Sequence, residues 1–241
     1  MLKWKKLAAL LLAGVLTFSF TACQSPPQEE EASDLLSIGE SPVAMKTVTQ
    51  DSEDGYVTYT FEIPEDWSAV EQDYFTVVAM DSDNPEIESL QDLLSFSHAV
   101  RINNYYYSAL SLSKEEQKAY QDLLAGDPQH YKEMTEESIA RNNELLEEYA
   151  GYKVQLTNFQ CSYYQGRSGT LVLVQVTTTN GTSSATEVRC FREDIPQYMV
   201  MGLYNDQLEL SSGEIARYVM DSLQVEEHFT VDDGIIHKEG E

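Results

Sequence analysis

Four histidines, three cysteines and 15 tyrosines are the residues of this chain best placed to do chemistry or recognition. The imidazoles His98, His130, His228 and His237 show neither H-x-x-H nor H-E-x-x-H spacing, so no zinc site is expected. Ser168 lies in Gly166-Arg167-Ser168-Gly169, which is not the G-x-S-x-G pattern of an exposed nucleophile. Two glycines so spaced are sufficiently explained by a hairpin turn. With the titratable groups scattered, no catalytic residue and no cofactor is expected. Tyr105-Tyr106-Tyr107 and Tyr163-Tyr164 would place rings on both faces of their strands, one of each set packed inward and its neighbour facing water. Such tyrosines are either strand formers or a low-entropy contact surface for a protein or sugar.

Cys23 has a different setting. Met1–Lys6 carries Lys3, Lys5 and Lys6 and no acid, and Leu7–Phe20 is free of charge. That apolar run is shorter than the ~20 residues a spanning helix needs, and it reads as a secretory signal over residues 1–22. Phe20-Thr21-Ala22-Cys23 resembles the lipobox of bacterial lipoproteins, with Phe20 where Leu is usual. The resemblance implies that Cys23 becomes the mature N-terminus and carries lipid through a thioether, which only a thiol can supply. Two or more acyl chains hold a protein stably to a membrane, at about 0.8 kcal/mol per buried CH₂. Residues 23–48, rich in Pro, Ser and Glu, then read as a flexible tether. Asp81-Ser82-Asp83-Asn84 resembles the opening of a calcium loop, but Glu86 and Asp92 stand where Gly and Glu are needed. A helix-capping turn is the better account, and no metal is expected.

Composition narrows the partners. Removal of the three signal-peptide lysines takes the formal charge from −26 to −29. Nucleic acid is excluded as a partner, because its affinity rests on Lys and Arg neutralising phosphates. A basic membrane-docking patch is also missing, so anchoring falls to the lipid. The expected location is extracytoplasmic, on the cell membrane.

The elements follow from periodicity. Val57, Tyr59, Phe61 and Ile63 alternate with polar residues in a strand that Pro64 ends. Further strands are expected at Phe75–Met80 and His98–Tyr107, with Val100 and Ile102 on one side. A helix is expected after Asn84-Pro85. Ser113 and Glu116 form a capping box for a helix to Ala125, and Asp127-Pro128 starts another reaching Ala150, with Ile139, Leu146 and Tyr149 inward. Four strands at about 154–164, 169–179, 185–192 and 197–205 read as an antiparallel meander. Cys161 and Cys190 would lie two strand spacings apart, about 9.5 Å, beyond the roughly 7 Å a disulfide spans. They are therefore expected as small hydrophobes. Ser211 and Glu214 cap a last helix with Ile215, Val219 and Leu223 on one face, and residues 227–241 read as a fraying acidic tail.

Phe61-Glu62-Ile63-Pro64-Glu65-Asp66-Trp67 looks like the opening of a PsbP-type domain, an aromatic strand running into Pro and then Trp. The far end is similar again, where a helix finishes in Met220-Asp221-Ser222-Leu223-Gln224-Val225, with Leu223 in place of the usual aromatic. The helices near 113–150 depart from that pattern. The resemblance implies an α+β domain over 49–226: an antiparallel sheet flanked by helices in an α/β/α sandwich. It implies no single activity. Trp67 is expected to pack at one end of the sheet. The expected function is a non-enzymatic, lipid-anchored module that binds an unidentified protein through its sheet edge or its tyrosines. A small-ligand or carbohydrate receptor is the alternative, and it requires a concave aromatic pocket.

Overall fold

Leu171-Val172-Leu173-Val174 buries consecutive side chains on opposite faces of one strand, which requires cover on both sides of its sheet. The computed structural model, which describes residues 35–81, 98–105, 113–204, 211–232 and 235–239, supplies that cover. Among the described residues the chain is a mixed α+β fold of thirteen strands and three α-helices. The strands are β1 (Leu36–Ser37), β2 (Met45–Asp51), β3 (Val57–Pro64), β4 (Trp67–Asp73), β5 (Thr76–Asp81), β6 (Ala99–Asn104), β7 (Gln155–Gly166), β8 (Gly169–Thr179), β9 (Ser184–Arg192), β10 (Tyr198–Tyr204), β11 (Gln224–Glu227), β12 (Phe229–Asp232) and β13 (Ile235–Lys238). The helices are α1 (Lys114–Leu124), α2 (Gln129–Ala150) and α3 (Ser212–Ser222).

Eight strands form the main sheet in the order β1-β7-β8-β9-β10-β6-β5-β4, antiparallel throughout except for the β1–β7 pair. One face packs on α3 and on a three-stranded sheet, β11-β3-β2. The alternation of β3 is realised there: Val57, Tyr59, Phe61 and Ile63 are all buried. The opposite face packs on the α1–α2 pair through Tyr120, Leu123 and Tyr131. β10 and α3 touch backbone to backbone at two glycines. A Cβ on Gly202 would lie 2.3 Å from the Ser212 carbonyl oxygen, and one on Gly213 would lie 2.7 Å from a Val188 methyl. Only residues without a Cβ allow that approach.

Both capping boxes form. Ser113 accepts from the Glu116 N–H while Glu116 accepts from the Ser113 N–H, and Ser211 and Glu214 repeat the arrangement. The carbonyls at the other end of α3 are met from outside the helix. Arg192, almost fully buried on β9, donates to the carbonyl oxygens of Met220, Asp221 and Leu223 at 2.6, 3.1 and 2.7 Å.

Several expectations need correction. The segment taken as tether already carries β1 and most of β2, and Ile38 belongs to the core. The acidic tail forms the β12–β13 hairpin, anchored by buried Phe229. Residues Trp67–Asp73 make a strand that alternation does not reveal, because β4 is an edge with one buried side; Trp67 starts it and is buried in the core as expected. Tyr149 is 54% exposed, whereas Leu146, one turn earlier on α2, is buried beside Val154. The helix expected after Asn84-Pro85 and the Asp81–Asn84 capping turn lie outside the described residues, apart from the backbone of Asp81. Cys161 pairs with Val174 and Cys190 with Leu173, adjacent residues of β8 that face opposite ways. The two thiols are therefore on opposite faces of the sheet and unbridged.

Candidate functional site

The described tyrosines among the candidates, Tyr105, Tyr163 and Tyr164, all pack against the core. Tyr105 is buried, its ring stacked on Tyr120 at 4.2 Å and edge-on to Phe191 at 6.0 Å. Tyr131 completes this cluster and accepts at its hydroxyl from Arg189 at 2.9 Å. Burial pushes the Tyr120 and Tyr131 phenols above their usual range. Tyr163 and Tyr164 do point to opposite faces, but neither stands free in water as expected. Tyr163 donates to the Leu123 carbonyl at 3.1 Å, closing the end of α1, and Tyr164 lies under the Arg217 guanidinium of α3 at 5.4 Å. A sheet covered on both faces leaves no open side for either ring. Tyr106, Tyr107 and Cys23 lie outside the described residues.

What these contacts build is a fixed edge. β7 runs over 12 residues, Gln155–Gly166, and carries no charged side chain, in a chain of net charge −26. Its inner side is paired with β8 along its length. Its outer side meets the two-residue strand β1 at Tyr164 and Gln165, and β1 ends the order of the described sheet. Sheet edges are commonly blunted by charge. The opposite edge, β4, follows that rule with Glu71 and Asp73. β7 has one bulge, between Leu156 and Asn158, and no charge.

Both ends of β7 are anchored. Asn143 of α2 imitates a strand neighbour: its amide donates to the Val154 carbonyl and accepts from the Val154 N–H, each at 2.8 Å. At the other end the β7–β8 turn is held by α3 and β3. The Arg167 N–H donates to Asp221 at 2.8 Å, and its guanidinium grips both Glu62 oxygens at 2.9 and 2.8 Å. This hydrogen bond holds the Glu62 carboxyl below its usual range. A Cβ on Gly166 would meet the Gly169 carbonyl oxygen at 2.9 Å, so the turn requires glycine. An extended segment could add to this edge through main-chain hydrogen bonds without reorganising it, the mode of β-strand addition. The signal for it was present in the sequence: an uncharged dozen residues in a strongly acidic chain. That the strand lies at an edge was not.

No other described feature competes. A groove where α1 meets α2 is lined by Glu115, Glu116, Glu133, Glu137, His130 and Arg141, without an aromatic wall. His130 there sits 3.2 Å from Asp122, and His228 pairs with Thr58 at 2.8 Å. Among the described residues no group of three or more His, Cys, Asp or Glu could hold a metal, and no helix is long and apolar enough to cross a membrane. Among the described residues the fold thus defines an α+β domain whose long, uncharged strand β7 lies next to the end of its main sheet. No protein-family model matches the chain, and no curated protein matches it by sequence.

Proposed function

We propose that this chain is a lipid-anchored extracytoplasmic protein whose folded part binds a partner protein along β7, without chemistry of its own. The observation that carries the reading is the long, uncharged, anchored edge of β7. Its partner supplies an extended segment with neutral or basic side chains, because the rest of the surface is strongly acidic. Anchoring rests on the lipobox-like Phe20–Cys23 stretch. A PsbP-type domain is the family we propose. Its two motifs, at Phe61–Trp67 and Met220–Val225, come together where the Glu62 N–H donates to the Ser222 hydroxyl at 2.9 Å.

The test places a photo-crosslinker at Gln160 on the edge or at Glu136 on α2, in native membranes. Trapping of one partner from Gln160 alone, abolished by Thr157→Lys in a protein that still folds, supports the reading. Equal trapping from both positions overturns it, as does turnover of cell-wall or ester substrates that a single substitution abolishes.

A further inference from the structure

The β8–β9 turn holds the one Asn-Gly step of the chain, Asn180-Gly181; every other Asn is followed by a residue with a side chain. An Asn side chain can lose its amide by attack of the next main-chain nitrogen, and a glycine there puts no Cβ in the way. Gly181 is exposed, at φ +87°, and nothing lies within 4 Å of where its Cβ would be. Residue order and access therefore favour the reaction at this step.

The hydrogen bonds oppose it. Asn180 Oδ1 accepts from the N–H groups of Thr182 and Ser183, each at 2.9 Å, and from the Ser183 hydroxyl at 3.3 Å. The attacking group is held as well. The Gly181 N–H donates to Thr179 Oγ1 at 3.1 Å, and that hydroxyl donates onward to the Ser183 carbonyl at 2.9 Å. The Asn180 N–H donates to the same carbonyl at 3.2 Å, which closes the turn. For a ring to form, the Gly181 proton must leave Thr179, and the Asn180 side chain must swing from the Thr182 and Ser183 N–H groups onto the Gly181 nitrogen. Each bond broken opposes that motion by about fivefold.

We propose that Asn180 is a latent deamidation site, guarded while this turn is closed and converted when it opens. The Gly181 nitrogen bonds to Asn180 Cγ and gives its proton to solvent; the Cγ–Nδ2 bond breaks and ammonia leaves, which closes a succinimide. Water then opens the ring. Addition at Cγ gives Asp with the original main chain, and addition at the Asn180 main-chain carbonyl gives an isoaspartyl link that runs through Cβ. No oxidant or reductant takes part. Asp keeps an acceptor for the surrounding N–H groups and takes the formal charge from −26 to −27. The isoaspartyl link adds an atom to a turn whose ends are fixed by the pairing of Thr179 with Ser184, so it destabilises closure. Conversion is irreversible and accumulates with the time the turn spends open. It is independent of any partner.

The full chain carrying Cys23→Ser is incubated at mildly alkaline pH, folded or in urea, and conversion at Asn180 is followed by peptide mapping with mass spectrometry. The folded chain should convert more slowly than the unfolded one by about tenfold or more. Thr179→Val keeps the shape of the side chain and removes both hydroxyl bonds. It should speed conversion of the folded chain by about tenfold, with the rate in urea unchanged and folding verified by circular dichroism. Ser183→Ala should speed it by a smaller factor. Equal rates in the folded and unfolded chain, or folded variants no faster than the parent, overturn the guard. Slower conversion in Ser183→Ala overturns it too, because the donors around Oδ1 would then be stabilising the developing oxyanion. No conversion at Asn180 in urea overturns the site itself.

Discussion

Replacing Arg192 with methionine tests how the last helix is held to the sheet. The side chain is 3% exposed and makes three hydrogen bonds to the carbonyls that end α3, plus a bidentate contact to Asp194 at 2.5 and 3.1 Å. Helix ends leave their last carbonyls without internal partners, and a buried acceptor stripped of its donor costs about 1–3 kcal/mol. Three such losses do not add fully, because the Met220 carbonyl keeps a long 3.4 Å bond from the Leu223 N–H. Asp194 is 38% exposed, so its carboxylate returns to water at little cost, and the stripped carbonyls together set an expected loss of about 3–5 kcal/mol. With a urea dependence of about 2 kcal/mol/M, the unfolding midpoint should fall by about 1.5–2.5 M. Arg192→Lys should fall between, since one ammonium cannot meet three divergent carbonyls and Asp194 together. Urea titration followed by circular dichroism decides it. A shift below about 0.5 M for Arg192→Met at unchanged slope would mean that these carbonyls find other donors, and the account of α3 anchoring would be wrong.

Gly202→Ala should destabilise by about 1–3 kcal/mol through overpacking against the Ser212 backbone; a thermal midpoint equal to the parent's would contradict the close approach. Tyr131→Phe keeps the ring cluster but removes the acceptor for Arg189, for an expected loss of about 1–2 kcal/mol in chemical unfolding. The Glu62 carboxyl is held low by Arg167, so its contribution is present above the ordinary glutamate value of about 4.3 and disappears as pH falls through the lowered folded value. The melting-temperature gap between the parent and Glu62→Gln should therefore close on acidification, and a gap independent of pH would refute the pairing. Ser113→Ala should cost about 1 kcal/mol by breaking the α1 capping box, measured as a fall in the urea midpoint.

The elements that the sequence reveals are those whose pattern is local. The four meander strands lie within a few residues of their expected limits, because each is bounded by a turn whose chemistry is written in adjacent residues: Gly166–Gly169, Asn180-Gly181 and Asp194-Ile195-Pro196. Both capping boxes form for the same reason. β1, β4 and the β12–β13 hairpin escape because they are short or edge elements. Their pairing depends on partners 128 residues away for Leu36, or on a single buried ring for Phe229. The exposure of Tyr149 escapes because helical periodicity gives a face and does not say how much of it the rest of the chain covers.

The candidate site divides along the same line. An uncharged β7, a glycine turn after it and a cysteine ending an apolar leader are all properties of residue order, and one chain suffices to read them. Which tyrosines are buried, which strand is left at an edge, and that Arg167, Asp221 and Glu62 meet across the molecule depend on the packing of distant segments. Hydrogen bonds within a turn or a cap join neighbours along the chain. Strand order and side-chain burial are set by contacts between residues far apart in sequence, which no local pattern encodes.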